Sequence, residues 1–129
     1  ADFDLDGLPD LFVTNGHIAK PEVAGQPWKM PAQLFRNRGG ARFEEVSDAA
    51  GAFFSEPALG RGVARLDWNR DGRPDLVVVH QDRPAALLTN ESTAAGGYLR
   101  VRLHGVESNR DAIGARLNVT AGGRTQTVE

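Results

Sequence analysis

The chain has 129 residues, with 17 acidic against 15 basic side chains and a formal net charge of -2, a length that suits one ordinary domain or two small ones. Its 40% hydrophobic and 25% charged residues are typical of a globular protein and exclude a disordered or fibrous chain. No basic run indicates nucleic-acid binding, no apolar run approaches the roughly 20 residues of a membrane span, and the absence of cysteine excludes disulfides and thiolate chemistry.

The first feature along the chain is an acidic nonapeptide, DFDLDGLPD, at residues 2–10. Carboxylates stand at its positions 1, 3, 5 and 9, and glycine stands at position 6. Oxygen ligands at alternating positions around a glycine turn are typical of a loop that wraps a calcium ion. The predicted ligands of this loop are Asp2, Asp4, Asp6, the backbone carbonyl of Leu8, and Asp10.

Short apolar stretches bounded by glycine, proline, asparagine and aspartate come after the nonapeptide, and they predict an all-β chain. Two glycine turns, at residues 37–41 and 121–124, each predict a hairpin. The polar stretch between the first two strands predicts a surface loop. The nine predicted strands are Leu11 to Thr14, Gln33 to Asn37, Arg42 to Val46, Gly62 to Leu66, Leu76 to His80, Ala85 to Thr89, Tyr98 to His104, Ala115 to Ala121 and Arg124 to Val128.

The nonapeptide occurs a second time at residues 67–75, as DWNRDGRPD. The residues after each copy also repeat, because DLFV matches DLVVV and LFRN matches LLTN. The first copy is longer, since Asn37 lies 27 positions after Asp10 whereas Asn90 lies 15 positions after Asp75. The predicted ligands of the second loop are Asp67, Asn69, Asp71, the backbone carbonyl of Arg73, and Asp75.

Two alternatives compete with a strand-flanked calcium loop. An EF-hand needs flanking helices and a glutamate at position 12, but Val13 and Val78 occupy that position. Alternatively, the aspartates form turns in which they accept bonds from backbone N–H groups. The same pattern in two copies favours metal binding over turns alone. The first loop offers four carboxylates against three and is expected to bind calcium more tightly in the intact protein, whereas fraying beside Asp2 is expected to leave the second loop the better occupied in this chain.

The sequence around these loops resembles a known family. The acidic motif, the apolar strand after it and LFRNRGGARFEEVSDAAG at residues 34–51 are similar to the FG-GAP, or VCBS-type, repeat of calcium-binding β-propellers such as integrin α-subunits. The resemblance implies propeller blades, and one complete repeat followed by a partial one is too few to close a ring, which implies a fragment of a larger propeller. Residues 98–129 resemble the start of an ASPIC and UnbV domain, an order of modules similar to the cartilage acidic protein family.

These resemblances predict two domains, an FG-GAP/VCBS-type region at 1–94 and an ASPIC and UnbV-like module at 95–129. They imply a secreted or surface protein that binds Ca²⁺ and serves as a scaffold for a protein or glycan partner, without nucleic-acid binding or membrane insertion. The alternative is an accessory part of a propeller enzyme, a lyase or hydrolase. We expect no enzyme, because the sequence offers no acid–base pair outside the metal loops.

Overall fold

The structure is a computed structural model that describes residues 1–20, 25, 27–93, 96–107 and 109–128. The chain divides into two compact units, Ala1–Tyr98 and Leu99–Glu129. The predicted domain boundary falls on Ala94 and Ala95, which lie outside the described residues. That boundary therefore stays a prediction.

The described residues form three antiparallel sheets and two short 3-10 helices. The first sheet has the strand order β1-β2-β3, the second has β4-β5-β6, and the third is the β7-β8 hairpin. The strands are β1 Leu11–Val13, β2 Gln33–Asn37, β3 Phe43–Glu45, β4 Gly60–Leu66, β5 Asp75–His80, β6 Ala86–Leu88, β7 Leu117–Ala121 and β8 Arg124–Val128, and the 3-10 helices are Ser47–Ala49 and Ala52–Ser55.

The all-β prediction is confirmed, and eight of the nine predicted strands have a counterpart within a few residues of the predicted ends. The prediction of a strand over Tyr98 to His104 is wrong, because those residues form no strand. Their alternation of apolar and basic residues suits a strand, but a strand also needs a hydrogen-bonded neighbour. The alternation of apolar and basic residues does not show whether a neighbouring strand is available for pairing.

The turn at residues 37–42 forms the predicted hairpin between β2 and β3. The N–H of Arg38 donates to the Arg42 carbonyl at 2.8 Å, and the N–H of Arg42 donates to the Gly39 carbonyl at 3.1 Å. Gly39 and Gly40 have φ values of 74° and 60°, which glycine adopts without a steric penalty. The hairpin holds Asn37 at the end of β2, where its N–H reaches the Asp10 carboxylate.

The two sheets of the first unit face each other. Phe12 and Leu34 are paired across β1 and β2 and lie on one face of the first sheet, while Leu76 and Val78 lie on one face of the second and are 7% and 0% exposed. A row of rings joins these faces: Phe12 meets Phe54 at 5.9 Å, Phe54 meets Phe53 at 5.6 Å, and Phe53 meets His80 at 5.9 Å between ring centroids. We call these two facing sides the inner faces.

The surface loop predicted between β1 and β2 is tied to the second sheet at both ends. Gly16 packs against Leu59, where a Cβ would lie 2.9 Å from the Leu59 Cα, and Met30 forms a β-bridge with Ala58. Ala32, just before β2, is buried at 7% exposure. Residues 21–24 and 26 of this loop lie outside the described residues. Its described ends are therefore part of the fold and are not dispensable surface.

Asp82 ties the start of β4 to the same loop. Its Oδ1 accepts a hydrogen bond from the Leu59 N–H at 3.0 Å, and its Oδ2 lies 2.7 Å from Lys29 Nζ. The Lys29 ammonium and the Leu59 N–H together lower the pKa of Asp82 to about 2. A carboxylate with a lowered pKa stabilises the fold above its ordinary pKa of about 4 and loses that effect as the pH falls through about 2.

We therefore expect thermal stability to fall between about pH 4 and pH 2, in part through protonation of Asp82. Asp82→Asn should lower the melting temperature at neutral pH and flatten this part of the profile. Lys29→Met should reproduce much of the effect, because Lys29 is the main cause of the shift. Melting temperatures across this range, with Glu107→Gln as a control on an exposed carboxyl of the second unit, test this; superimposable profiles for all variants would contradict it.

The second unit contains one hairpin among its described residues. β7 and β8 pair from Leu117 with Val128 to Ala121 with Arg124. Gly122 and Gly123, with φ values of 56° and 76°, make the predicted two-residue turn. No helix in the described parts of the chain has the length and apolar character needed to cross a bilayer.

Candidate metal centre

Both acidic loops have the same backbone conformation. The first precedes β1, and the second connects β4 to β5. At position 6 the glycines Gly7 and Gly72 both have a φ of 86°, and at position 4 Leu5 and Arg70 have φ values of 56° and 62°. Two residues in the left-handed region, one of them non-glycine, are costly unless surrounding contacts hold them.

Carboxylates within each loop supply such contacts by accepting backbone N–H bonds. The aspartate at position 1 accepts from the glycine at position 6, and the aspartate at position 5 accepts from the residue at position 7. These bonds are Gly7 N to Asp2 Oδ2 at 2.8 Å, Leu8 N to Asp6 Oδ1 at 2.9 Å, Gly72 N to Asp67 Oδ2 at 3.2 Å and Arg73 N to Asp71 Oδ1 at 2.9 Å.

The last aspartate of each loop is buried and joins the loop to the end of a strand. Asp10 is 8% exposed and Asp75 is 1% exposed. Each accepts one bond from the N–H at position 2 of its own loop and one from the N–H of an asparagine, which is Asn37 at the end of β2 or Asn90 two residues after β6. The donors are Phe3 and Asn37, both at 2.9 Å, to Asp10, and Trp68 at 3.0 Å and Asn90 at 2.8 Å to Asp75.

In the first loop the carboxylates of Asp2, Asp4 and Asp10 converge. Each offers an oxygen that lies within 4.8 Å of the others, close enough for one ion to contact all three. Burial raises the pKa of the Asp4 carboxyl above its usual range, and the charges of Asp6 and Asp10 add to the increase. Ionised Asp4 is therefore held at an electrostatic cost that a cation would relieve.

Arg36 on β2 reduces part of this negative charge. Its Nη2 lies 2.6 Å from Asp4 Oδ2 and 3.5 Å from Asp6 Oδ2. The guanidinium opposes the rise in the Asp4 pKa without cancelling it. The motif LFRN contains this arginine, but its local pattern indicates only a strand residue. Arg36 is thus a residue of the first site that sequence reasoning missed.

The second loop differs from the first in its charges. Asn69 replaces a carboxylate and donates through Nδ2 to Asp71 Oδ2 at 2.9 Å. Arg73 donates to the same oxygen through Nη2 at 2.8 Å, and the bonds from the Arg73 backbone and side chain lower the pKa of Asp71. Residues 67–75, all of them described, do not form a second group of three converging acidic side chains.

The two loops are connected through Asn90 and the segment after it. Asn90 Nδ2 donates to the Phe3 carbonyl at 2.8 Å and to the Pro74 carbonyl at 3.2 Å, so it contacts both loops. Ser92 Oγ also donates to the Phe3 carbonyl at 2.8 Å.

Farther along the chain, the Tyr98 ring covers Gly72 so closely that a Cβ at Gly72 would overlap it. Position 6 of the second loop therefore needs glycine for two reasons: its φ is positive, and the Tyr98 ring leaves no room for a Cβ.

The residues present fit a calcium ion better in the first loop than in the second. Calcium takes hard oxygen ligands at about 2.3–2.6 Å, so two ligands of one ion lie within about 5 Å of each other. The group formed by Asp2, Asp4 and Asp10 meets that limit. Asp6 lies outside the group and contacts Leu8 and Arg36; it stays a predicted ligand. The backbone carbonyls of Leu8 and Arg73 remain predicted ligands.

The turn interpretation of the aspartates also proves correct, because every aspartate of the two loops accepts at least one backbone N–H bond. A carboxylate oxygen has two lone pairs, so accepting one N–H does not prevent it from contacting an ion. Sequence reasoning missed Asn37 and Asn90 as residues that support the loops. The sequence signal that could have identified them is the asparagine shared by LFRN at residues 34–37 and LLTN at residues 87–90.

Comparisons with known proteins point to one family. Residues 2–78 match the FG-GAP-like repeat. Human cartilage acidic protein 1 is 33% identical over 96 residues, which is 74% of this chain, and the mouse protein of the same name is 34% identical over the same length. The chain spans about 13% of the length of these relatives. No solved structure matches.

Proposed function

This chain belongs to the FG-GAP-like repeat family, and from that membership we propose that it is a calcium-binding, non-catalytic scaffold segment. The first loop binds one Ca²⁺ through Asp2, Asp4 and Asp10, with Asp6 and the Leu8 carbonyl completing the ligand set. The second loop binds a second Ca²⁺ more weakly through Asp67, Asn69, Asp71, the Arg73 carbonyl and Asp75.

The observation that carries this proposal is the convergence of three carboxylates within 4.8 Å in the first loop. Clustered carboxylates repel one another, and the raised pKa of Asp4 reflects burial together with that repulsion. Surrounding hydrogen bonds hold the loop in this conformation despite the repulsion, as expected of a preformed site. A bound ion would supply the missing positive charge and connect the loop ends.

We further propose that calcium keeps the loops rigid so that the strands and outer turns present a fixed surface to a protein or glycan partner, in a secreted or surface-exposed protein. The similarity to cartilage acidic protein 1 supports this assignment. Residues 95–129 are proposed to be the start of an ASPIC and UnbV-like module; the family match ends at residue 78, within the first unit.

Isothermal titration of the calcium-free protein with Ca²⁺ tests the sites directly. We expect two binding steps, with Asp2→Asn weakening the tighter step by about tenfold or more and Asp67→Asn weakening the other, because affinity in such loops depends on ligand charge. Mg²⁺ should bind more weakly, since it needs near-octahedral geometry and dehydrates reluctantly.

Asp48→Asn is the matched control, because Asp48 is an exposed carboxyl in a 3-10 helix outside both loops. It should leave both binding steps unchanged. Heats of binding that neither Asp2→Asn nor Asp67→Asn alters would show that the ions bind elsewhere, and no heat at all would remove the calcium assignment.

A further inference from the structure

Asn37 and Asn90 occupy the same position in the two repeats, as the last residues of LFRN and LLTN. Each donates its backbone N–H to the aspartate at position 9 of its own loop, and its Nδ2 donates to the proline carbonyl at position 8. The Oδ1 of each accepts an N–H from the residue two positions later. These bonds join Asn37 to Asp10, Pro9 and Gly39, and they join Asn90 to Asp75, Pro74 and Ser92. The two asparagines therefore make the same local bonds in their own repeats.

Asn90 makes a further bond, and this bond crosses to the other loop. Its Nδ2 donates to the Phe3 carbonyl at 2.8 Å, and Ser92 Oγ donates to the same carbonyl at 2.8 Å. Phe3 lies between Asp2 and Asp4, which are two of the three converging carboxylates of the first loop. The segment after β6 thus holds the backbone between two predicted calcium ligands of the first loop.

The bonds around Asn90 form a continuous connection between the two loops. At the first loop, the Phe3 N–H donates to Asp10 Oδ2 at 2.9 Å, while the Phe3 carbonyl accepts from Asn90. At the second loop, the Asn90 N–H donates to Asp75 Oδ1 at 2.8 Å, and the other oxygen of Asp75 accepts from the Trp68 N–H at 3.0 Å. The connection therefore begins at one predicted ligand, Asp10, and reaches another, Asp75.

We propose that Asn90 is a positioning residue shared by both loops, and that through it calcium bound in one loop raises the calcium affinity of the other. This inference rests on the calcium binding proposed above. An ion in the second loop would fix Asp75 and therefore Asn90. The Phe3 backbone would then be ordered before an ion arrives in the first loop. Ordering a backbone residue costs free energy, and a residue that is already ordered no longer adds that cost to binding.

Coupling between two binding sites is reciprocal, so calcium in the first loop must raise the affinity of the second loop by the same factor. Typical factors are about 5–150, and we expect about tenfold because the connection consists of a few hydrogen bonds. Direct repulsion between the two ions acts against this coupling. Titration in about 0.15 M salt weakens the repulsion, because charges are then screened over roughly 8 Å.

Calorimetric titration with Ca²⁺ measures the coupling. Asp2→Asn together with Asp4→Asn silences the first loop, and Asp67→Asn together with Asp71→Asn silences the second, so each double variant should bind one ion. If the loops are independent, the product of the two stepwise association constants of the wild type equals the product of the two single-loop constants. We expect the ratio of the first product to the second to be about ten. Circular dichroism in chelator confirms that each variant folds.

The same ratio, measured with Asn90→Ala added to every protein, tests the role of this residue. The substitution removes the bond to Phe3 but keeps the backbone bond to Asp75, so the ratio should fall to about one. Asn37→Ala is the matched control, because it removes the corresponding local side-chain bonds of the first repeat and should leave the ratio at about ten. Ser92→Ala removes the other side-chain bond to the Phe3 carbonyl and should give an intermediate ratio. It replaces Asn90→Ala if that variant does not fold.

The outcomes separate this inference from the proposed function. A wild-type ratio of one or less, with both binding steps present, would overturn the coupling and leave calcium binding intact. A ratio that Asn90→Ala does not change, or that Asn37→Ala lowers equally, would also overturn it, because Asn90 would then have only a structural role. Absence of any binding heat in the wild type would overturn the proposed function together with this inference.

Discussion

Asp75→Ala should lower the free energy of unfolding by about 2–5 kcal/mol, the largest effect expected of any single loop substitution. Asp75 is 1% exposed, and its two oxygens accept bonds from the Trp68 and Asn90 N–H groups. Removing the carboxylate leaves both donors without this acceptor, at about 1–3 kcal/mol each. For a fold whose total stability is about 5–15 kcal/mol, the loss is severe.

The equivalent Asp10→Ala should be destabilising for the same reason, because Asp10 accepts from Phe3 and Asn37 in the same geometry. Asp75→Asn should have an intermediate effect. The side-chain oxygen of the new asparagine can accept one of the two N–H bonds, but its NH₂ group cannot accept the other. Urea unfolding in the presence of a chelator measures these losses separately from calcium binding. Asp48→Ala, at an exposed carboxyl outside the loops, is the control and should change stability by less than about 0.5 kcal/mol.

If Asp75→Ala and Asp48→Ala unfold at the same urea concentration, then the bonds to Trp68 and Asn90 contribute nothing to stability. The same measurements separate the structural role of Asp75 from its role as a calcium ligand. A variant that loses stability in chelator reveals a structural role, and a further loss of calcium-dependent stabilisation reveals a ligand role.

Calcium should raise the melting temperature by about 10 °C or more between chelator and saturating ion. A ligand present at 100 times its dissociation constant stabilises a fold by about 2.7 kcal/mol, and each kcal/mol shifts the melting temperature of a small domain by about 4–8 °C. The group of Asp2, Asp4 and Asp10 supplies the physical reason, because its charges repel one another without a cation.

Most of this shift should depend on the first loop. Asp4→Asn should remove the larger part of it, whereas Asp71→Asn should remove less, because Asp71 is already paired with Arg73. In chelator, Asp4→Asn should leave stability unchanged or raise it slightly, since the raised pKa of Asp4 means that its charge disfavours the folded state at neutral pH.

The contacts at the start of the chain favour a tighter first site, opposite to the order expected from fraying beside Asp2. Ala1 and Asp10 exchange backbone hydrogen bonds at 3.2 and 2.6 Å. These bonds hold the start of the first loop in place. A melting temperature that calcium does not change would refute the proposed function, and a shift that only Asp71→Asn removes would favour the order expected from fraying.

The sequence alone was sufficient for the features set by local chemistry. The glycines at residues 39–40 and 122–123 predicted two hairpins, because few other residues adopt the positive φ values that these turns need. The two nonapeptides predicted two loops of one conformation, and the matching φ values of Gly7 and Gly72 agree with that prediction. Short apolar stretches bounded by glycine, proline, asparagine and aspartate located eight of the strands, because those bounding residues favour turns.

Tertiary structure alone decided which distant groups meet. Arg36 is 30 or more positions from the carboxylates that it contacts, and Asn90 is 87 positions from Phe3, so no local pattern could indicate either contact. The expected strand over Tyr98 to His104 failed because strand formation depends on a pairing partner that the local sequence does not contain. Local conformation is set by the allowed φ and ψ of each residue, whereas the charge around Asp4 and the burial of Asp75 are set by how the sheets pack.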